Sequence, residues 1–145
     1  MRLFIFLLCC ISSLQVFPQQ KRVCITVDDL PTVPYGVGGE ALKKEITQGI
    51  VDVFKKYKIP AIGYVNESKL YKKNVLDKKE VALLEYWINN GLELGNHTYS
   101  HWDYNTVTYQ AFTEDILKGE TITRKLMEKQ GKKYQYFRHP FLHVG

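Results

Sequence analysis

Residues 92–101 read LELGNHTYSH, a short apolar run followed by two histidines that are four residues apart. The run LELG at residues 92–95 predicts a buried strand. His97 and His101 are two of only four histidines in the 145-residue chain. An HxxxH pair in a loop is more often incidental than a metal site, so the spacing alone leaves both interpretations open.

The segments on either side of this run alternate between strand and helix patterns. The predicted strands cover residues 22–27, 61–66, 92–95 and 134–138. The predicted helices cover residues 40–58, 77–90 and 108–130, where apolar side chains recur at helical spacing. Strands that alternate with helices form βαβ units. The sequence therefore predicts an α/β fold with a parallel (β/α) repeat, either open or closed into a barrel.

Polar side chains cluster where three of the predicted strands end. Asp28 and Asp29 follow the first strand, His97 and His101 follow the third, and Arg138 ends the fourth. Because the carboxyl ends of parallel strands meet at one edge of a sheet, we expect these clusters to form one site. Taken singly, the acidic pair is more often a turn or a helix cap, and the arginine a surface ion pair. Their coincidence at matching strand ends favours the functional interpretation.

The residue types in these clusters indicate metal chemistry. Two imidazoles and one carboxylate suit a divalent ion and leave positions open for water and substrate. Zn²⁺ is the ion that this ligand set favours, and Co²⁺ or Ni²⁺ could substitute. The second carboxylate is free to act as a general base toward water, and a nearby arginine would keep it ionised and oriented.

The composition is that of an ordinary globular protein, with 45% hydrophobic and 24% charged residues. The formal net charge is +5, and the lysines are scattered over predicted helix faces and loops. A diffuse basic surface of this kind is usually only a solvated face, with at most a weak attraction for anionic polymers. No nucleic-acid-binding motif is present, so we expect no nucleic-acid partner.

The first 20 residues, MRLFIFLLCCISSLQVFPQQ, have the pattern of a secretion signal. Their apolar run is too short for a stable membrane-spanning helix, so we expect no membrane insertion once the signal is removed. We therefore expect a secreted or periplasmic protein whose single domain covers residues 21–145. A buried N-terminal strand or helix is the alternative, and Cys9 and Cys10 leave lipoprotein anchoring as a less favoured one. Without this segment only Cys24 remains, which excludes an internal disulfide.

Three segments carry a resemblance to a known family. ITVDDLP at residues 25–31, GNHTYSH at residues 95–101 and FRHPFLHVG at residues 137–145 resemble the first three motifs of the polysaccharide deacetylase domain. This domain is also called the NodB homology domain, or carbohydrate esterase family four. The resemblance implies a distorted (β/α) barrel. It also implies metal-dependent removal of acetyl groups from sugars, typically N-acetylglucosamine units of peptidoglycan or chitin-like polymers.

The resemblance also implies a role for each matching residue. Asp28 is then the catalytic base, and Arg138 supports it. Pro140 and Phe141 belong to the substrate groove. Thr98 and Ser100 shape the metal loop, the segment at residues 96–101 that carries both histidines. The implied metal ligands are Asp29, His97 and His101.

Some features depart from the family pattern. Leu30 stands where the family more often has glycine, and the third motif is less tight than usual, which leaves the groove shape and the substrate open. The family normally continues to further strands and to a histidine that acts as general acid. We therefore expect these residues to form an incomplete barrel with weak or absent turnover.

Several interpretations remain open from the sequence. The alternatives to an N-deacetylase are an O-acetyl esterase, a related carbon–nitrogen (amide) hydrolase, and a catalytically impaired carbohydrate-binding protein. Asn66 and Asn96 also match glycosylation sequons, which we interpret as chance.

Overall fold

The computed structural model describes residues 21–32 and 39–144, so the predicted signal segment lies outside it and stays a prediction. The strands are β1 (Ile25–Leu30), β2 (Ala61–Val65), β3 (Tyr71–Lys72), β4 (Val75–Leu76) and β5 (Glu93–Asn96). The α-helices are α1 (Glu40–Lys56), α2 (Lys78–Asn89), α3 (Tyr109–Lys118) and α4 (Thr123–Lys129). Short 3₁₀ helices cover Glu67–Leu70, Tyr104–Thr106 and Pro140–Leu142.

The main sheet is parallel and has the strand order β1-β2-β5. Ile25 of β1 pairs with Ala61 of β2, and Ile62 of β2 pairs with Glu93 of β5. Helices follow the strands along the chain, as βαβ units require. The predicted α/β fold with a parallel sheet is confirmed. β1 begins at Ile25 instead of residue 22 and runs through the acidic pair to Leu30.

The core consists of apolar side chains from the sheet and from the helices packed against it. Trp87 of α2 is 1% exposed and meets the Phe54 ring of α1 edge-on, with 6.0 Å between the ring centroids. Its indole nitrogen donates to the Glu93 carbonyl at 2.8 Å, which satisfies the one polar group that its burial brings inside. The other fully buried apolar side chains include Val51, Val65, Leu70, Leu84, Leu94 and Met127. Among the described helices, none has the length and hydropathy needed to cross a membrane.

The predicted helix at residues 108–130 is wrong in its extent, because the chain forms two helices there. Thr108 caps α3 by accepting from the Ala111 amide, and α3 ends at Lys118. Gly119 follows, packed so closely on the preceding loop that a Cβ would lie 2.5 Å from the Thr98 carbonyl carbon. The chain then turns before α4 begins at Thr123.

The predicted fourth strand at residues 134–138 is also not a regular strand. A single parallel bridge joins Phe137 to Asn96 of β5. The Asn96 amide donates to the Tyr136 carbonyl at 2.8 Å, and the Arg138 amide donates to the Asn96 carbonyl at 2.9 Å. The segment therefore lies beside β5, but it pairs at one residue only.

An unpredicted hairpin, β3–β4, precedes α2. Tyr71 pairs with Leu76 and Lys72 with Val75. Lys73 and Asn74 between them both have positive φ, 51° and 62°, as a two-residue type I′ turn requires. Asp77 then caps α2 by accepting from the Lys79 amide at 2.9 Å.

Candidate metal centre

The predicted site residues gather at the carboxyl edge of the sheet. Asp28 and Asp29 lie near the end of β1, His97 directly follows β5, and Arg138 lies beside β5 through the Asn96–Phe137 bridge. The register of β1 against β2 shifts between Val27 and Leu30, so the acidic pair lies in an irregular part of the strand. Irregularities of this kind redirect side chains at functional edges of sheets. Asp29 has φ 65°, a left-handed conformation that is uncommon for a residue other than glycine.

Asp29, His97 and His101 form a group that could hold a metal ion. Each offers one ligand atom, and these atoms all lie within 4.8 Å of one another. Nε2 of His101 is 3.6 Å from Oδ1 of Asp29, and the two imidazole centroids are 4.9 Å apart. Tetrahedral ligands at about 2.1 Å from a zinc ion lie about 3.4 Å from one another, so only small adjustments would be needed.

His97 is oriented as a metal ligand should be. It is 3% exposed, and its Nδ1 is 2.8 Å from the Arg138 carbonyl oxygen. Because a carbonyl can only accept, Nδ1 carries the hydrogen and Nε2 keeps its lone pair. Burial lowers the pKa of His97 below its ordinary value, which favours the neutral imidazole that metal binding needs. A backbone partner on the second ring nitrogen is the usual support for a metal-ligating histidine.

His101 lies in a loop that is held in an unusual backbone conformation. Its φ is 58° and that of Thr98 is 66°. The His101 amide donates to the Thr98 hydroxyl at 3.0 Å, and the Thr98 amide donates to the Asn96 carboxamide oxygen at 2.7 Å. The tight loop lets both imidazoles approach Asp29 without a helix, although the sequence spacing also suits one helical turn.

Asp28 lies outside the triad and has a different partner. Nη1 of Arg138 donates to Oδ1 of Asp28 at 2.7 Å and to the Thr26 hydroxyl at 2.9 Å. The guanidinium also lies 4.4 Å from the centroid of the Tyr64 ring, a cation–π contact that fixes its plane. The structure thus separates the two aspartates, with Asp28 beside the arginine and Asp29 beside the histidines. Their catalytic and ligand roles stay predictions.

Lys69 is a member of the site that sequence reasoning missed. Its Nζ donates to Oδ1 and to the backbone oxygen of Asp29, both at 3.0 Å. Burial alone would raise the pKa of Asp29, but Lys69 and the two histidines outweigh it and lower that pKa. Burial lowers the pKa of Lys69 itself. The one available signal was position, because Lys69 follows the carboxyl end of the second predicted strand.

The segment after the fourth predicted strand places Phe141 at the edge of the site, beside His101. Phe141 is 57% exposed, and its ring centroid lies 4.8 Å from that of His101. Pro140 is buried at the start of the 3₁₀ helix beside it. A substrate could therefore reach Phe141 directly, whereas Pro140 supports the turn. Substrate binding by either residue stays a prediction.

The two remaining histidines have partners outside the triad. His139 stacks on Phe112 at 5.4 Å, with Tyr104 and Phe137 around it. Nδ1 of His143 is 2.8 Å from Oδ1 of Asp103. The structure therefore gives His139 a packing role and His143 a partner of its own.

The asparagines of the two sequon matches are buried and hydrogen-bonded. Asn66 is fully buried and donates to the His97 carbonyl at 2.5 Å. Asn96 is 3% exposed and donates to the Ile116 carbonyl at 2.8 Å. Both side chains support the metal loop from within, in keeping with the interpretation of the sequon matches as chance.

Comparison with known families identifies the chain. Residues 16–144 match the family model for polysaccharide deacetylases. The chain belongs to the polysaccharide deacetylase family. The match includes Asp28, Asp29, His97, His101 and Arg138. A search of the curated proteins finds no match.

Solved structures of the same family share the fold. The peptidoglycan deacetylase PdaC from Bacillus subtilis is 25% identical with a TM-score of 0.62, over 90% of this chain and 54% of that one. A CE4 family pseudoenzyme from Bacillus anthracis is 18% identical with a TM-score of 0.65, over 89% of this chain and 38% of that one. A family 4 carbohydrate esterase from Streptomyces lividans, solved with acetate, is 16% identical with a TM-score of 0.60, over 85% of this chain and 53% of that one.

These likenesses bear on the fold and not on the substrate. The last two structures are less than 25% identical and show the fold alone. The chain spans 38–54% of the length of the three proteins, so the activity of a whole deacetylase remains a proposal for it. The predicted partial barrel of the NodB-homology type is in agreement with all three.

Proposed function

We propose that this protein is a metal-dependent hydrolase that acts outside the cytoplasm. It would remove N-acetyl groups from amino-sugar polymers such as peptidoglycan or chitin-like oligosaccharides. The observation that carries the proposal is that the two adjacent aspartates have different partners. Asp29 faces His97 and His101, whereas Asp28 is paired with Arg138. Family membership and the secretion-like N-terminal sequence support the substrate class and the location.

The residues present fit a divalent metal, and they would hold it through Asp29, His97 and His101. Zn²⁺ is favoured by this ligand set, with Co²⁺ or Ni²⁺ able to substitute. Such an ion would supply a Lewis acid for the acetyl carbonyl oxygen and would make a nearby water more acidic.

Asp28 would take the proton from the attacking water. Its side chain is 39% exposed, so water can reach it, and Arg138 occupies Oδ1. Within the described residues Oδ2 has no protein donor and is left to accept the proton. Arg138 would act by fixing the orientation of this carboxylate, since it is itself held by Thr26 and Tyr64.

Phe141 would help to position the sugar. Its exposed ring beside His101 offers an apolar face next to the metal ligands, which suits the apolar faces of a pyranose ring. A groove wall at this point would hold the acetyl group near Asp28 and the triad. Orientation of this kind is a large part of what an active site contributes to rate.

An O-acetyl esterase is the second candidate, because of where the spare histidines lie. Expulsion of an amine requires a proton donor, whereas an alkoxide leaves more readily. Within the described residues, His139 is enclosed by aromatic rings and His143 is paired with Asp103. The described residues therefore supply a base for the attacking water, Asp28, but neither of these histidines is free to act as a proton donor for a leaving amine.

Acetate release tests the proposal and separates the candidates. The purified protein would be given N-acetylglucosamine oligomers and, in parallel, an O-acetylated sugar ester, after removal of metal and after addition of Zn²⁺ or Co²⁺. Metal-dependent acetate release from the oligomers would support the N-deacetylase. Release from the ester alone would support the esterase, and binding of oligomers without release from either substrate would support a carbohydrate-binding protein.

A further inference from the structure

The loop that carries the two histidines, residues 96–101, lies directly on α3. Four hydrogen bonds join this metal loop to two consecutive residues of the helix. The Asn96 side chain donates to the Ile116 carbonyl at 2.8 Å, and the Tyr99 amide donates to the Asp115 carbonyl at 3.1 Å. The Ser100 amide and hydroxyl both donate to the Asp115 carboxylate, at 2.9 and 2.7 Å.

The Asp115 carboxylate is committed entirely to Ser100, the residue before His101. Oδ2 accepts from the backbone amide and Oδ1 from the hydroxyl. Asp115 is 4% exposed, so these bonds form largely out of contact with water. Hydrogen bonds to an ionised acceptor are about twice as strong as neutral ones, and they gain from a low local dielectric.

The metal loop needs such support because its backbone is strained. Thr98 and His101 both have φ near 60°, and neither is glycine. Non-glycine residues persist in this region only where the surrounding structure over-determines them. The bonds to Asp115 act on the two residues that lie between these strained positions.

Gly119 allows the helix to come this close. A Cβ at this position would lie 2.5 Å from the Thr98 carbonyl carbon and 2.6 Å from the Tyr99 nitrogen. Both distances are far shorter than real Cβ contacts, and the obstructing atoms belong to backbone. Asp115 and Gly119 are four residues apart and so share one face of the helix, the face that meets the loop.

We propose that Asp115 is a positioning residue of the metal centre, which acts through Ser100 to aim the His101 imidazole at Asp29 and His97. Gly119 provides the close approach that this contact needs. The inference rests on the proposed function, because it assumes that His101 binds a metal. Loss of Asp115 would then weaken and distort metal binding without removing any ligand.

Cobalt titration tests this inference without any measurement of activity. Co²⁺ reports its coordination through visible absorption, and the titration also gives a dissociation constant. Asp115→Ala should weaken Co²⁺ binding by about 10- to 100-fold, the usual range for residues that support metal ligands. It should also shift the position or intensity of the absorption bands. Circular dichroism would establish that the variant is folded.

Two matched variants test whether the effect of Asp115→Ala comes from the lost hydrogen bonds, from the lost charge, or from general disturbance of the helix. In Asp115→Asn, the amide oxygen can still accept from the Ser100 amide, and the Ser100 hydroxyl can turn to accept from the new NH₂ group. This variant should therefore recover much of the affinity that Asp115→Ala loses. Glu114→Gln makes the same chemical change at the neighbouring, exposed position, where the partner is Gln110, and should bind Co²⁺ like the wild type.

Each outcome has one meaning. If the wild type binds no Co²⁺, the proposed function fails and takes this inference with it. If the wild type binds Co²⁺ and a folded Asp115→Ala binds it with the same affinity and spectrum, only the inference is overturned.

If Asp115→Ala does not fold, Ser100→Ala decides. That variant removes one of the two bonds to the carboxylate and should weaken binding about fivefold, with an altered spectrum. An unchanged affinity and spectrum in Ser100→Ala would overturn the inference.

Discussion

The carboxyl ends of β1 and β2 are neighbours in the sheet, yet their acidic side chains have opposite surroundings. After β2, Glu67 is fully buried, and its Oε1 accepts from the amides of Ile122 and Thr123 at 2.8 and 2.6 Å. On β1, the Asp29 side chain is 45% exposed and faces Lys69 and His101. Glu67 is held by backbone donors that cannot leave, whereas Asp29 faces side chains that can move.

This difference shows what distinguishes a structural carboxylate from a functional one at the same sheet edge. Glu67 joins the end of β2 to the start of α4 through these two hydrogen bonds. Burial raises the pKa of Glu67, whereas the Lys69 ammonium beside Asp29 outweighs the effect of burial there and lowers the pKa of Asp29. Asp29 lies beside two imidazoles with which it could bind a metal, whereas the buried Glu67 carboxylate is bonded through Oε1 to the amides that begin α4.

The largest effect is expected at Asp28, the other carboxylate of β1. In a form of the protein that shows acetate release, Asp28→Asn should keep its metal and lose about 10² to 10⁴ in rate, the usual contribution of a general base. The substitution leaves Asp29, His97 and His101 in place. Metal content and acetate release would be measured on the same samples. Loss of the metal together with the activity would show that the two aspartates share the ligand role.

A smaller effect is expected at Lys69, the cation that pairs with Asp29. A divalent ion held by Asp29 would lie beside the Lys69 ammonium, and like charges at short range repel strongly even near a protein surface. Lys69→Gln should therefore tighten Co²⁺ binding by about tenfold, equivalent to about 1.4 kcal/mol. Lys72→Gln, on the neighbouring exposed lysine of β3, is the matched control. Weaker binding in Lys69→Gln would mean that the lysine orients Asp29 more than it competes with the metal.

The smallest effect is expected at Glu67, and it should appear in stability and not in metal binding. Because burial raises its pKa in the folded state, the folded protein binds a proton here more tightly than the unfolded chain does. The contribution of Glu67 to stability is therefore greatest in acid and is lost as pH rises from the unfolded-state pKa through the raised one. Glu67→Gln keeps an acceptor oxygen for the two amides and removes the charge.

Urea unfolding of the wild type and Glu67→Gln from about pH 4 to about pH 8 would measure this effect. The variant should gain stability relative to the wild type as pH rises, while its Co²⁺ affinity stays the same. A difference that does not change with pH would show that Glu67 has the same pKa in the folded and unfolded states. A change in Co²⁺ affinity would show that the two carboxylate regions are coupled.

The gathering of Asp28, Asp29, His97, His101 and Arg138 at one edge of the sheet could be predicted from residue type and from the ends of the predicted strands. The assignment of Asp29 to the histidines and of Asp28 to Arg138 was implied only by the family resemblance. Parallel strands bring their carboxyl ends together whatever the details of packing. Lys69 could not be predicted, since its approach to Asp29 depends on the 3₁₀ helix that follows β2. Glu67 could not be recognised as structural, because its partners lie 55 and 56 residues further along the chain.

The two elements that were predicted wrongly, at residues 108–130 and 134–138, differ from the prediction because of tertiary contacts. The helical pattern at residues 108–130 is continuous, but the chain forms two helices there. Gly119 packs on the metal loop, and Glu67 accepts hydrogen bonds from the amides at the start of α4, so the helix is interrupted between these two contacts. The apolar segment at residues 134–138 reads as a strand, but it forms a single bridge to β5. Local propensity indicated where helical and extended chain lie, and contacts distant in sequence decided whether and how far regular elements form.

The central claim is that Asp29, His97 and His101 bind one divalent ion, and metal content tests it most directly. Elemental analysis of the wild type loaded with Zn²⁺ and freed of excess metal should give about one zinc per chain. His97→Ala should give almost none, and His143→Ala, whose imidazole pairs with Asp103, should give the wild-type value. A zinc content that is unchanged in His97→Ala would contradict the account.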